Sequence, residues 1–471
     1  MTIIPNILKL FIFSIFIPYI FNQNGILVLP FRKVVPNIGG VSPKDVIDPN
    51  LADNLVTTEI KVGTEPQSIN LRIELSSYLF YITGGNMLSQ TEFNSKKSDT
   101  YKKIESDTRY FRESKLTEGI FSSDIFYLNN NKYETQFILG IETLKDKSGG
   151  LIGLKIDDAS TKSYTNFNFI NEMKRNKIIN DYHFTIKYND DNSGNLIIGN
   201  FPHKYDSNYN EDNFRDIYCE MKDFDFTWNF KLDNIYIAEK KNSTNKKDLG
   251  GGYYGYLKIE KGVIEGSSAY RTTLLSYFMQ EKIDKKLCFE VSKDTDNNYI
   301  SYYCTKDVDI SQLKNIYFYN KELDFTFELT YKDLFYHNEI DGNYYFLIVF
   351  LKEDDEWDYS SYYWTFGEPL IKKYQFVFNQ NSKRIGIYTS LGGDDNNNNN
   401  NMNINNGSWW SRNKWYLILI ILLFIFLVSL TVVLFLYFKN KPKRKTKANE
   451  LDEDFEYSSS KDPSENKLVD N

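Results

Sequence analysis

A short motif occurs twice in this chain: Ile73-Glu74-Leu75-Ser76-Ser77 and Ile264-Glu265-Gly266-Ser267-Ser268, 191 positions apart. Each copy is an aliphatic residue, a carboxylate, one variable residue and two serines, and each comes after a strand-like apolar run. Two such turns at strand ends describe two related halves that meet on a pseudo-twofold axis. A pair of carboxylates on that axis is how a duplicated lobe builds an acid/base dyad.

The residues around the motifs alternate with the period of two that marks strands. Thr57-Thr58-Glu59-Ile60-Lys61-Val62, the turn Gly63-Thr64-Glu65-Pro66-Gln67 and Ser68-Ile69-Asn70-Leu71-Arg72-Ile73 form a hairpin that delivers Glu74 to a strand end. Residues 120–128, 136–141 and 184–188 are further strands, and Asp190-Asp191-Asn192-Ser193-Gly194 turns into Asn195-Leu196-Ile197-Ile198-Gly199. Helical periodicity is confined to short pieces such as residues 167–176. From 56 to 390 the chain is therefore all-β with few helices.

The order of these segments resembles the pepsin-like aspartic protease family. Val62-Gly63-Thr64-Glu65-Pro66-Gln67 is similar to that family's opening hairpin, and Gly150-Leu151-Ile152-Gly153-Leu154 to the strand threaded beneath the first catalytic loop. The helix, strand and hairpin at 169–199 match the family's succession. Trp228-Asn229-Phe230-Lys231-Leu232-Asp233-Asn234-Ile235 resembles the strand entering the second lobe. Trp364-Thr365-Phe366-Gly367-Glu368-Pro369-Leu370-Ile371, with Arg384-Ile385-Gly386-Ile387, resembles the closing signature. Each piece alone is an ordinary hairpin; five in the correct order are not. The resemblance implies a bilobal fold with lobes at 54–215 and 216–390 and a cleft for an extended peptide. Leu27-Val28-Leu29-Pro30-Phe31-Arg32-Lys33 resembles the start of a prosegment, although 25–53 is short for a full inhibitory one.

In the family each lobe contributes Asp-Thr-Gly-(Ser/Thr), whose two carboxyls share one proton because like charges held close cannot both ionise. By resemblance Glu74 and Glu265 take the two Asp positions, with Ser76, Ser77, Ser267 and Ser268 as the supporting hydroxyls. Both turns match best with one position deleted. An extra methylene moves a carboxyl by roughly 1 Å, whereas productive geometry is held within ~0.5 Å, and a misplacement of about 1 Å costs on the order of a hundredfold in rate. Parallel change in both lobes leaves a rebuilt Glu/Glu dyad as the alternative. Tyr110, before Phe111-Arg112-Glu113-Ser114, is the flap candidate, without the family's Gly-Thr-Gly.

The expectation is a catalytically degenerate homologue that binds a peptide or protein in its cleft. The alternatives are an active endopeptidase working through Glu74 and Glu265 on a water, and a surface structural or adhesion protein. Other chemistries find less support. His183, His203 and His337 have no matching Ser or Cys elbow, and Gly250-Gly251-Gly252 has no following Lys-Ser/Thr to cradle a phosphate. No Cys/His cluster indicates a metal, and no cofactor motif appears. A net charge of −7 gives no basic excess for nucleic acid.

The chain's ends place it in a membrane. Residues 10–21 form a Pro-interrupted apolar run that suits a signal peptide at 1–24. Residues 415–438 carry no charge over 24 positions, long enough to cross a bilayer. Lys439, Lys441, Lys443, Arg444, Lys445 and Lys447 come next, which puts the tail at 439–471 in the cytosol and makes the chain a type I, single-pass protein with its ectodomain in the secretory or endolysosomal lumen or at the cell surface. An Asn-rich stalk at 391–414 joins the two. In that lumen Asn242 and Asn406 are glycosylation acceptors. Of three cysteines, Cys288 and Cys304 form the natural pair, closing a loop whose constraint contributes ~3 kcal/mol, and Cys219 remains a buried thiol.

Overall fold

The computed structural model describes residues 25–34, 54–84, 92–111, 116–143, 148–156, 167–222, 225–291, 299–351 and 363–389. The expected signal peptide, stalk, apolar run at 415–438, cytosolic tail and Asn406 lie outside these, as does all of 35–53. Among the described residues no helix is long and apolar enough to cross a membrane.

The protein is mostly β. The opening hairpin forms as its alternation dictates: Val56–Val62 pairs antiparallel with Gln67–Glu74, and the buried positions of Val56–Val62 alternate with open ones. Gly63 turns the chain with φ of +96°, a conformation that costs other residues dearly. Leu27–Lys33 is built into the same sheet between Ser193–Ile198 and Val56–Val62. Leu27, Leu29 and Phe31 enter the core, and Lys33 forms a 2.5 Å ion pair with Glu368 of the second lobe. Leu27–Lys33, the start of the prosegment-like stretch, is thus an interior strand.

That sheet has fourteen strands and recruits both ends of the folded chain. Val377–Asn379 pairs with His183–Tyr188, and Arg384–Tyr388 with Phe214–Tyr218. The second lobe holds a six-stranded sheet and two four-stranded ones. One of the latter carries the Cys288–Cys304 disulfide between directly paired positions of Cys288–Glu290 and Tyr302–Cys304. Cys219 is a buried free thiol, and burial pushes it up to about 12. One apolar core runs through both lobes, taking in Ile73, Ile152, Trp228, Ile264 and Phe366.

Helices are few but more substantial than the sequence led us to expect. Phe169–Arg175 lies where periodicity placed it, capped by Asn168, whose Oδ1 accepts from the Ile170 and Asn171 amides. Ser268–Phe278 and Gln280–Asp284 were not anticipated. Within the first helix Glu172 is buried, accepting from the Gln136 amide and pairing with Arg175. Burial raises it to about 7.

This packing yields two tests. Phe31→Ala removes a ring from the sheet's interior face, and chemical denaturation should register a loss of roughly 3–5 kcal/mol. Glu172 is more easily protonated folded than unfolded, so its contribution is full below its ordinary value of 4.5 and is lost as pH rises through about 7. Glu172→Gln keeps an acceptor for the Gln136 amide and should remove this decline. The variant should therefore gain on the parent between those two pH values; a constant difference would show that Glu172 titrates normally.

Candidate functional site

Gln67–Glu74 runs parallel to Gly150–Gly153, with Glu74 opposite Gly153, and Phe80–Thr83 flanks the same strand on its other side. The turn from Glu74 to Phe80 therefore crosses over the end of Gly150–Gly153. There is no room there for a side chain: a Cβ on Gly153 would lie 2.4 Å from the Ser77 carbonyl oxygen and 2.6 Å from that of Leu79. This is the threaded arrangement expected of the first lobe.

The second lobe repeats it. Tyr253–Leu257 runs parallel to Tyr363–Phe366, which is flanked on its other side by antiparallel Ile264–Gly266. A Cβ on Gly367 would lie 2.2 Å from the Lys261 carbonyl oxygen and 2.3 Å from that of Val263. Gly367 thus corresponds to Gly153 (214 positions apart in the chain), Lys261 to Ser77 and Val263 to Leu79, the two turns being offset by 184 positions. Phe80 lies opposite Ile152, and Ile264 opposite Phe366, with the same turn offset. The residue matched to Glu74 is then Lys258, whose amide donates to the Phe366 carbonyl at 3.0 Å.

This corrects the pairing of the two Glu-x-Ser-Ser motifs. Their 191-residue spacing is not the repeat of the fold, and Glu265 occupies the place of Tyr81, on the strand that leaves the turn. The two turns are equal in length, each running six positions from the matched residue to the flanking strand. The second turn is Lys258-Ile259-Glu260-Lys261-Gly262. Sequence reasoning missed it by searching for a carboxylate. The distinguishing signal lay just beyond Glu265, where Ser267 caps a helix at once, its Oγ accepting from the Ala269 amide, whereas Glu74 leads into a turn and a strand.

Each carboxylate is met by a cation of its own lobe. Glu74 lies 2.5 Å from the Arg72 guanidinium, and Glu265 lies 2.8 Å from Lys261 Nζ; both glutamates are 7 % exposed. Tyr299 Oη also donates to Glu265 Oε1 at 2.8 Å. Burial alone would lower Lys261, but the Glu265 carboxylate and Tyr299 outweigh it and hold the ammonium above the usual lysine range. Tyr299 is itself raised, by burial first and then by Glu265.

The hydroxyls serve the backbone. Ser77 Oγ accepts from the Leu79 amide at 3.2 Å, Ser76 is exposed, and Ser268 begins a helix. Asn168, which caps Phe169–Arg175, also donates to the Tyr78 carbonyl and so braces the first turn. Tyr110 sits on the short strand Arg109–Tyr110, paired to Leu116–Leu128, and is 77 % exposed; Phe111 is the packed residue beside it. Residues 112–115 lie outside the described ones. Among the described residues no three His, Cys, Asp or Glu side chains group to hold a metal. An open polar cavity of about 540 Å³ in the second lobe, lined by Glu239, Asn315 and Lys332, includes no residue of either turn.

A shared-proton mechanism needs two carboxyls at the matched positions. Here these positions supply one carboxyl, Glu74, and one amine, Lys258. A model of the eukaryotic aspartyl protease family matches residues 56–389, from the first strand of the opening hairpin to the end of the last strand. The chain belongs to this pepsin-like aspartic protease family. Comparison with individual curated proteins finds no match.

The Arg72–Glu74 pair is testable by itself. Arg72→Met should cost on the order of 3–5 kcal/mol, because it takes the guanidinium away from a buried carboxylate. Arg72→Met/Glu74→Gln should recover at least half of that loss in chemical denaturation.

Proposed function

We propose that this protein is a catalytically degenerate member of the family that binds an extended peptide or protein segment between its lobes. The observation that carries the reading is Lys258. An ammonium at that position cannot exchange the dyad's proton with Glu74 as a second carboxyl would, and it removes the acid/base symmetry on which peptide hydrolysis depends. The Arg72 guanidinium beside Glu74 supports the same reading, since it neutralises the one remaining carboxylate from within its own lobe. Glu265, engaged by Lys261 and Tyr299, is a buried structural group in this reading and not half of a dyad.

The setting we propose is a membrane-tethered ectodomain. It rests on the uncharged run at 415–438 and the basic residues after it. Asn242 lies exposed in the turn between Asn234–Ala238 and Lys247–Gly250, as a glycan acceptor must.

The purified chain, incubated with unfolded protein from acidic to neutral pH, should release no fragments beyond those of a Glu74→Gln/Glu265→Gln control. An immobilised extended peptide or a statine-type inhibitor should still bind. Cleavage by the parent that disappears in the control would overturn the degenerate reading. Absence of cleavage together with absence of binding would leave the scaffold without its cleft function.

A further inference from the structure

The second turn reaches across to the first through a residue that no dyad would require. Glu260 is its third residue, and Glu260 Oε2 accepts from the Leu75 amide at 3.1 Å. Leu75 directly succeeds Glu74, so the bond fixes the backbone that aims the Glu74 side chain. The main chain at Glu260 is held in turn by Asn54: the Asn54 amide donates to the Glu260 carbonyl at 2.9 Å, and Asn54 Nδ2 donates to the Ile259 carbonyl at 2.9 Å.

The next residue faces a different partner. Lys261 donates to Glu265 at 2.8 Å and to Tyr299 Oη at 3.1 Å, both in the second lobe. One residue of the turn thus grips the opposite lobe while its neighbour anchors the turn in its own. The arrangement is one-sided, because the first-lobe counterpart of Glu260 is Ser76, which is exposed and too short to return the contact. Glu260 Oε1 is buried, with no hydrogen-bond partner among the described residues. A carboxylate held with one oxygen idle is a poor choice for stability alone; the position requires a side chain of this length with an acceptor at its tip.

We propose that Glu260 is a positioning residue that sets the Glu74 turn from the opposite lobe, with Lys261 and Glu265 as its anchor. The geometry fixes what substitutes it tolerates. Gln has the reach and an acceptor oxygen; Asp has the charge and is one methylene short; Ala has neither.

The test needs no ligand, so its outcome is independent of whether the cleft binds peptide. Native-state hydrogen exchange of the full chain would be monitored at the Leu75 amide, with the Gly199 amide, bonded to the His183 carbonyl, as a distant control. Glu260→Ala and Glu260→Asp should speed exchange at Leu75 by about tenfold or more, as the loss of a charge-assisted bond implies. Glu260→Gln should stay within about threefold of the parent, and Gly199 should not change in any variant. Unchanged exchange at Leu75 in Glu260→Ala would overturn the proposal. So would equal acceleration at Leu75 and Gly199, which would mark general loosening. If Glu260→Ala does not fold, the contrast between Glu260→Gln and Glu260→Asp decides the matter: Asp fast and Gln slow supports the proposal, and equal rates overturn it.

Discussion

Both turns of the site depend on the absence of a methyl group. At Gly153 and at Gly367 the carbonyls of the overlying turn stand closer to the threaded strand than any Cβ allows. The strand passes there because it pairs with the strands on both sides of the turn, parallel to one and antiparallel to the other. The two glycines therefore fix where each turn sits, whatever residues the turn contains. This is why the fold persists with Glu74 in one turn and Lys258 in the other: backbone space holds the architecture, while the side chains at the turn are free to change.

That separation explains what could be read from the amino acids. Strand periodicity, the Gly-rich turns, Leu151-Ile152-Gly153 and Trp364-Thr365-Phe366-Gly367 are packing signals, and they led to the family's fold and the opening hairpin; the disulfide partners came from the short loop between Cys288 and Cys304. The first turn was legible because Glu74 ends an alternating strand. The second was not, because its matched residue is a lysine and a better-looking carboxylate lies seven positions on. Glu265-Gly266-Ser267-Ser268 imitates the first motif in letters while doing a different job, closing a strand and capping Ser268–Phe278. The contacts of Glu260 with Leu75 and of Lys261 with Tyr299 join residues that no local pattern connects.

The charges at the site are arranged by lobe. Arg72 answers Glu74 and Lys261 answers Glu265, each within a few residues along its own chain segment, so these two buried carboxylates each meet a cation of their own lobe. A working dyad has the opposite logic, in which two carboxyls are uncomfortable apart from the proton they share. The lobes are linked by the Lys33–Glu368 ion pair and by hydrogen bonds to the backbone that involve Asn54, Glu260 and Trp228, whose Nε1 donates to the Leu154 carbonyl at 2.8 Å.

The fourteen-stranded sheet also imposes an order of events on the nascent chain. His183–Tyr188 and Phe214–Tyr218 emerge early, yet their partners Val377–Asn379 and Arg384–Tyr388 are made roughly 150 residues or more later. Until then the ribosome presents two incomplete sheet edges, the kind of surface that templates pairing with other chains. Such distant partners also make for slow closure, since the entropy of the long loop must be given up before its contacts form. The first lobe thus stays unfinished until the last strand is synthesised, and a chain that stalls before residue 377 has no means of sealing itself.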